Sequence, residues 1–286
     1  MGQGSGALAV AGPGADLIDT PPAEASRAEM WLPLLRRLTE RFPAWAVWKN
    51  VDSALRGHGD VDSLADPACW PEIEAEFRAW AAAQGLNRVI VCRHVPQGPH
   101  LLAFGPGTRH LVQLDVKERA TFRGSTLVDW KQLLPLCEMD PRGFRRVRPG
   151  AEGVIKLLSN GLLPGGRMHA AALRKKHVAE LLSADPGGVA SIARLFGPAA
   201  GALRRGADAV ASGGWDRGAM RRVEAWCLLR AVAEPRTLLS RTRFKYHART
   251  RCPVIRTIRR DDRRIPDDVD GWMHEVARTH PDGVSW

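Results

Sequence analysis

Two aspartates stand one residue apart in the segment ALRGHGDVDSLAD, and a third follows in a later apolar run. Asp60 and Asp62 flank Val61, and Asp115 lies in HLVQLDV. Alternate residues of a strand point to the same face, so Asp60 and Asp62 would hold their carboxylates side by side. This crowding of like charges is unfavourable unless a cation lies between them. Because Mg²⁺ prefers carboxylate oxygens as ligands, we predict a metal site at Asp60, Asp62 and Asp115.

The chemistry expected of such a site is phosphoryl chemistry. Three carboxylates on neighbouring strands can bind two Mg²⁺ ions, which would activate a hydroxyl nucleophile and clamp a triphosphate. A second interpretation needs no metal. In it Asp60 and Asp62 cap a solvated turn, and Asp115 is an exposed carboxylate paired with Lys117 or Arg119.

The elements that must position these carboxylates are predicted from the hydrophobic pattern of the first half. Two amphipathic helices are expected, at SRAEMWLPLLRRLTERF, where Ser26 and Glu29 have capping-box spacing, and at PACWPEIEAEFRAWAAAQG. Strands separated by Gly/Pro turns are predicted at AWAVWKN, DVDSLA, NRVIVCRHV, HLLAF and RHLVQLDVKE. This order predicts an α+β domain over residues 26–145, after a flexible lead-in over residues 1–25.

The second half has a helical pattern and a basic charge. Helices are predicted at GAEGVIKLLSNGL, MHAAALRKKHVAELLSA, GGVASIARLFG, PAAGALRRGADAVAS, WDRGAMRRVEAWCLLRAVA and PDDVDGWMHEVARTH, and a strand at CPVIRTIRR. We therefore expect a mostly helical second domain over residues 146–286. The net charge of +11 lies almost entirely in this half. That distribution favours a polyanionic partner, either nucleic acid or nucleotide phosphate, although a basic soluble surface would produce it as well.

The segment from Trp45 to Asp115 resembles the DNA polymerase β-like nucleotidyltransferase superfamily. In that family a strand ends in a Gly-Gly or Gly-Ser turn, an Asp-x-Asp follows on the next strand, and a third Asp comes later. Here VWKN stands at the turn, DVDSL supplies Asp60 and Asp62, and LDV supplies Asp115. The sequence departs from the family at the turn itself, where Lys49 and Asn50 replace the Gly-Ser pair.

The resemblance implies a mixed sheet with flanking helices and a helical accessory domain. It also implies transfer of a nucleoside monophosphate from ATP or another nucleoside triphosphate to an acceptor hydroxyl, with two Mg²⁺ ions and release of pyrophosphate. Asp60 and Asp62 would hold both ions, and Asp115 would hold the catalytic ion and draw the proton from the acceptor. The residues expected to contact the nucleotide are Lys49, Asn50, Arg56, Gly57, His58, Gly59 and Lys156. For His58, a purely structural role in the turn is the alternative.

The acceptor stays open at this point. An RNA such as tRNA, as in toxin-like bacterial members, is the first hypothesis, and a small molecule such as an antibiotic, a sugar or a biosynthetic intermediate is the second. The third is a non-catalytic nucleic-acid-binding protein that keeps the fold. Basic residues that would contact an acceptor are Arg145, Arg146 and Arg148 at the predicted cleft edge, and Arg243 and Lys245 in RTRFKYHARTR. Phe244 and Tyr246 in that segment could stack on bases or pack on the fold.

Cysteine usage and hydropathy bear on the compartment. The five cysteines are widely spaced and form no CxxC, so neither a disulfide framework nor a zinc site is predicted. No uncharged apolar stretch is long enough for a membrane span, and the N-terminal segment lacks the basic region of a signal peptide. The sequence therefore predicts a cytoplasmic protein without a membrane partner.

Overall fold

The fold is α+β, with a mixed sheet, flanking helices and a helical C-terminal region, as predicted. A computed structural model describes residues 24–93, 97–105, 112–240, 242 and 284–285. The helices of the first half are α1 Glu24–Arg41, α2 Val51–Leu55, α3 Trp70–Ala83 and α4 Trp130–Leu133. The strands of this half are β1 Trp45–Lys49, β2 Val61–Ala65, β3 Arg88–Cys92, β4 His100–Phe104, β5 Val112–Lys117, β6 Arg119–Phe122, β7 Ser125–Asp129, β8 Cys137–Met139 and β9 Arg145–Val147.

The second half is helical apart from a few two-residue strands. Its helices are α5 Pro149–Ser159, α6 Ala170–Leu173, α7 Lys175–Ala184, α8 Pro186–Arg194, α9 Ala200–Ala211 and α10 Arg217–Ala233. Its strands are β10 Leu162–Leu163, β11 Arg167–Met168 and β12 Val284–Ser285. The single helix predicted over residues 168–184 divides into α6 and α7 at Arg174, whose φ of 49° is left-handed.

The main sheet of the described residues has eight strands in the order β12-β3-β4-β5-β2-β1-β9-β8. The pairs β2–β5 and β1–β9 are parallel, and the other pairs in this sheet are antiparallel. The hairpin β6–β7 forms a separate small sheet. Strands β2 and β5 are the two central strands of this sheet.

The sheet is covered on both faces. Along β1, Trp45 and Val47 belong to the core formed with α1, α2 and α3, whereas Ala46 and Trp48 belong to the core formed with α4 and α5–α10. This alternation is the period of two that a strand buried on both faces requires. Packing on both faces therefore fixes the position of β1, and with it the position of Lys49 at the end of the strand.

The structure corrects the predicted domain boundary. Strand β9 pairs with β1 through Val47 and Arg146, so the sheet continues through Val147 and the predicted division between residues 145 and 146 falls inside a strand. A single apolar cluster then runs from Trp48 in the sheet to Leu203 in α9. The sheet and the helical region share a core, and α2, α4 and β6–β9 are elements that the sequence pattern did not predict. The predicted strand and helix near residues 252–280 and most of the lead-in lie outside the described residues.

Helix α5 packs against α8 so closely that Gly150 is required. A Cβ at Gly150 would lie 1.9 Å from the carbonyl oxygen of Asp185 and 2.8 Å from the amide nitrogen of Val189. We expect Gly150→Ala to lower the free energy of unfolding by about 1–3 kcal/mol, measured by urea denaturation, because backbone atoms must shift. Gly201→Ala is the matched control, since its nearest neighbour would be Arg205 Nη1 at 3.9 Å; we expect a change within about 0.5 kcal/mol. Equal stability of the two variants would contradict this packing.

Within the described residues, none of the helices is both long enough and apolar enough to cross a bilayer. Cys69, Cys92, Cys137 and Cys227 are free thiols, as predicted, and Cys252 lies outside the described residues. Burial raises the pKa of Cys137 to about 12 and that of Cys227 to about 11. Such thiols are protonated at neutral pH and are poor nucleophiles.

Candidate metal centre

The parallel pairing of β2 and β5 brings the predicted aspartates together. Asp62 and Asp115 are direct partners in the register of the two strands, and Asp60 lies one residue before β2 begins. One carboxylate oxygen from each of the three lies within 4.8 Å of the other two. Asp62 and Asp115 are 2% and 3% exposed, and Asp60 is half-buried. This triad could hold a metal ion. The burial of Asp62 and Asp115 argues against exposed carboxylates at these two positions, whereas the ion pair of Asp115 with Lys117 that the alternative predicted is present.

Strand alternation aims these side chains. Val61 and Ala65 of β2 pack into the core with α1–α3, so Asp62 points to the opposite face together with Leu64. Ser63 Oγ donates a hydrogen bond of 2.8 Å to the backbone carbonyl of Asp115 and ties the two strands at this level. The burial of Val61 and Ala65 on one face of β2 and of Leu64 on the other therefore fixes the direction of the Asp62 carboxylate.

The turn before α2 differs from the family in residue type but not in backbone conformation. Asn50 has φ 65° and ψ 1°, a left-handed conformation that glycine adopts freely and that asparagine tolerates better than most residues. Its side-chain amide donates to Asp62 Oδ2 at 3.0 Å, and its backbone N–H donates to Glu152 Oε1 at 3.1 Å. Asn50 thus connects the triad to α5.

A β-bulge places the neighbouring lysine beside the same carboxylate. The register between β1 and β2 shifts between Val47 and Lys49, so that Lys49 opposes Asp62. Its Nζ lies 3.5 Å from Asp62 Oδ2. Both residues predicted to touch a triphosphate, Lys49 and Asn50, therefore contact the triad itself in this structure.

Three residues surround Asp115, and the sequence analysis named only one of them, Lys117, as the ion-pair partner of Asp115 in the interpretation without a metal. Lys117 Nζ lies 2.7 Å from Asp115 Oδ2 and 3.5 Å from Asp62 Oδ1. Gln113 Nε2 lies 2.5 Å from Asp115 Oδ1, and His100 Nδ1 lies 3.1 Å from the same oxygen. Gln113 and Lys117 stand two residues on either side of Asp115, so alternation could have identified them. His100 comes from β4 and needed the strand pairing, in which it is the direct partner of Asp115.

These contacts set the charges at the site. Burial alone would raise the pKa of Asp115. The lowering by His100 and Lys117 is larger than this increase and holds the pKa well below its usual range. Burial alone would lower the pKa of Lys117, yet Asp115, Asp62 and Asp60 raise it above its usual value. Burial lowers the pKa of His100 more than the charge of Asp115 raises it. At neutral pH Asp115 is therefore ionised, Lys117 is protonated and the His100 imidazole is neutral.

A cavity of about 440 Å³ opens beside the triad, between the sheet domain and the helices. One wall is formed by the turn and the strand end that carry the candidate residues, and the other by α5, α6 and α7. The polar residues that line it are Asn50, Ser53, His58, Gly59, Asp60, Lys156, Asn160, Arg174 and His177. A cavity of this size suits a small organic ligand.

The helical wall carries a buried charged group. Lys156 is 7% exposed, and its Nζ lies 2.7 Å from Glu152 Oε1 and 3.0 Å from His177 Nε2. Burial and the charge of Lys156 both lower the pKa of His177, so its neutral ring accepts from the lysine. Glu152 Oε1 also accepts the Asn50 N–H, so this wall is connected to the triad through one carboxylate.

The remaining predicted nucleotide contacts divide into two groups. His58 and Gly59 line the cavity together with Lys156, whereas Arg56 and Gly57 are exposed and do not line it. The His58 backbone N–H donates to the carbonyl of Ser53 at 2.8 Å and closes the turn. The backbone of His58 therefore has a structural role in the turn. Because His58 also lines the cavity, its predicted contact with a nucleotide stays a prediction.

The arginines predicted to contact an acceptor at the cleft edge each have partners within the fold, and their contact with an acceptor stays a prediction. Arg145 Nη1 donates to the carbonyl oxygens of Pro43 and Trp45, each at 3.0 Å. Arg146 is buried among carboxylates, and Arg148 forms an ion pair with Asp185. None of the three lines the cavity. Arg243 and Lys245 lie outside the described residues.

Comparison with protein-family models, with curated proteins and with solved structures finds no match for this chain. The fold and the site themselves define its class. It is an α+β protein in which two aspartates on neighbouring parallel strands and a third just before one of these strands come together, and the third, Asp60, lines a cavity walled by helices.

Proposed function

We propose that this protein is a metal-dependent nucleotidyltransferase of the DNA polymerase β-like superfamily. The observation that carries the proposal is the convergence of Asp60, Asp62 and Asp115, whose carboxylate oxygens lie within 4.8 Å of one another beside the cavity. The resemblance over residues 45–115 supports it, as do the order of the elements and the left-handed turn at Asn50. The proposed reaction transfers a nucleoside monophosphate from a nucleoside triphosphate to an acceptor hydroxyl and releases pyrophosphate.

The donor set fits Mg²⁺. All three candidate ligands are carboxylates, which hard divalent cations prefer. Among the described residues, this group of candidate ligands includes no cysteine and no histidine, the ligands that softer metals prefer. Asp60, Asp62 and Asp115 would hold the ions. When bound, Mg²⁺ would neutralise charge on the transferring phosphate and favour ionisation of the acceptor hydroxyl.

The surroundings of Asp115 favour a role as a ligand over a role as the proton acceptor. Lys117, Gln113 and His100 all contact its carboxylate, and its pKa is held well below the usual range. A carboxylate with a strongly lowered pKa is a weak base. Asp115 would thus stay ionised and position the reacting groups.

The far wall of the cavity supplies the groups for the triphosphate. Lys156 carries a buried positive charge, and Arg174 and His58 add donors at the same cavity. A triphosphate with its α-phosphate at Asp60 would extend toward these residues, since Asp60 and Lys156 line one continuous space. Positive groups opposite an acidic triad are the arrangement that orients a charged substrate.

Lys156→Met tests this orientation. We expect the affinity for nucleoside triphosphate to fall about tenfold, the effect of losing one charged hydrogen bond. The measurement is calorimetric titration with non-hydrolysable analogues of each common nucleoside triphosphate in the presence of Mg²⁺. The matched control is Lys176→Met, because Lys176 is exposed on α7 and does not line the cavity. Equal affinities of the two variants would remove Lys156 from the nucleotide site.

The reaction itself is tested by incubation with each α-labelled nucleoside triphosphate, Mg²⁺ and either total tRNA or a metabolite extract. Label in RNA would identify an RNA acceptor, our first hypothesis, and binding of that RNA would weaken steeply as salt rises. Label in a small molecule would identify the second class of acceptor. No transfer of label to RNA, to metabolites or to the protein itself would contradict the proposed activity.

A second candidate is a non-catalytic member that keeps the fold. The observation that favours it is the presence of two ammonium groups on the triad, with Lys117 and Lys49 both within 3.5 Å of Asp62. This candidate predicts that neither Mg²⁺ nor nucleoside triphosphate binds. Calorimetric titration with either ligand separates it from the first.

A further inference from the structure

Lys117 occupies the position of a cation in the acidic centre. Its Nζ contacts Asp115 Oδ2 at 2.7 Å and Asp62 Oδ1 at 3.5 Å, so it bridges the two buried carboxylates. Its side chain is only 17% exposed. A divalent ion bound by the same carboxylates would need the oxygens that the ammonium now contacts.

The position is built by the fold. Lys117 ends β5 two residues after Asp115, so alternation sends both side chains to the same face, and it pairs with Leu64 in the register with β2. Leu64 and Val116 are buried on the two sides of the sheet and fix this end of both strands. The ammonium therefore reaches the triad from a fixed backbone position.

We propose that Lys117 is an internal counter-ion that holds the triad in the absence of metal and competes directly with a divalent cation for Asp62 and Asp115. This inference rests on the proposed function, since it concerns the same metal site. It adds that metal binding requires the Lys117 ammonium to withdraw. Metal affinity in the absence of nucleotide is then set by a lysine and not by the carboxylates alone.

The net charge of the centre supports a role of Lys117 in making metal binding depend on nucleotide. Three carboxylates against Lys117 and Lys49 leave about one net negative charge, which attracts a dication weakly. A nucleoside triphosphate would bring further negative charge to the cavity. The centre is thus expected to bind a metal–nucleotide complex better than the free metal.

Replacement of Lys117 tests the competition. We expect Lys117→Met to bind Mn²⁺ about tenfold more tightly than the wild-type chain, or better, because a positive charge in contact with the ligands is gone. Free Mn²⁺ is counted by electron paramagnetic resonance in a titration without nucleotide. Lys117→Arg keeps the charge and should bind Mn²⁺ no more tightly than the wild type. Lys131→Met, at an exposed position on α4, corrects for the change in net charge.

Stability gives a second readout. Without metal, Lys117→Met leaves buried carboxylates uncompensated and should unfold at a lower temperature than the wild type. Added Mn²⁺ should raise the unfolding temperature of the variant more than that of the wild type. Lys117→Gln, which keeps a polar group, repeats both measurements if the Met variant does not fold.

The outcomes separate the two proposals. Unchanged or weaker Mn²⁺ binding by Lys117→Met, together with loss of binding in Asp115→Asn, would leave the metal site standing and overturn the role of Lys117. Absence of Mn²⁺ binding in the wild type and in every Lys117 variant would overturn both. Tighter binding by Lys117→Met, but not by Lys117→Arg or Lys131→Met, supports the competition.

Discussion

Asp62→Asn is expected to lower the transfer of label from α-labelled nucleoside triphosphate by roughly a thousandfold or more, since metal ions supply several kcal/mol of transition-state stabilisation. Asp62 is the central carboxylate of the triad, because Lys49, Asn50 and Lys117 all contact it. The change to asparagine keeps the size of the side chain and removes one charged ligand. The fold should persist, because Val61, Leu64 and Ala65 of β2 are apolar and buried and Ser63 keeps its hydrogen bond to β5.

The measurement is the initial rate of label transfer to the acceptor found for the wild type. Asp60→Ala is expected to lose activity to a similar extent, since its carboxylate belongs to the same triad. Asp208→Asn is the matched control, an exposed aspartate on α9, and should keep the wild-type rate. Circular dichroism checks that each variant is folded. Wild-type rates in Asp60→Ala and Asp62→Asn would rule out the proposed mechanism.

The triad could be predicted from the sequence because its geometry is local. Two aspartates at alternate positions of a strand must share a face, and the segment that contains Asp115 has a clear apolar pattern. That the two strands are neighbours was expected, and the structure adds that they are parallel, with Asp62 and Asp115 as direct partners. Strands β1, β2, β4 and β5 around the triad were predictable from their apolar patterns, whereas the short helix α2 was not.

The groups that tune the triad could not be predicted with equal success. His100 reaches Asp115 only through the pairing of β4 with β5, and Lys156 contacts Glu152 one turn earlier and His177 on another helix. Such contacts depend on tertiary packing, which leaves no periodic signal. Charge alone also did not reveal the internal partners of the arginines, because Arg145 and Arg146 resemble a basic cleft edge in sequence but contact backbone carbonyls and carboxylates of the fold.

The β9 strand explains why the predicted domain boundary was wrong. It has three residues and two of them are arginines, a composition that gives no apolar pattern. It lies between β1 and β8, pairs in parallel with β1, and is stabilised there by the ion pairs of its Arg146 side chain. The partners of Arg146 are Asp52 of α2, Asp140 and Glu152 of α5. The strand is thus stabilised by a network that joins the sheet to the helical region.

Arg146→Met is therefore expected to lower the free energy of unfolding by about 3–5 kcal/mol, the cost of leaving buried carboxylates without their partner. Arg146 is 9% exposed, and its guanidinium lies 2.8 Å from Glu152 Oε2, 3.0 Å from Asp52 Oδ2 and 3.2 Å from Asp140 Oδ2. Glu152 also accepts from Asn50, so the change should weaken nucleotide binding as well. Urea denaturation at neutral pH measures the loss, and Arg204→Met, at an exposed position on α9, should lose less than about 0.5 kcal/mol.

The loss in Arg146→Met should shrink in acid. Burial alone would raise the pKa of Asp52, but the charge of Arg146 and the hydrogen bonds and charge of Arg142 lower it below its usual value. A group with a lowered pKa contributes stability above its unfolded pKa, and the contribution is lost as pH falls through the folded pKa. Arg142 chiefly lowers the pKa of Asp140 to about 2, so that carboxylate stays ionised longer. The difference in unfolding free energy between wild type and Arg146→Met should thus narrow below about pH 4, where Asp52 of the variant protonates first. A difference that stays constant from pH 7 to pH 3, or one below about 1 kcal/mol at pH 7, would show that the network does not hold β9 in the sheet.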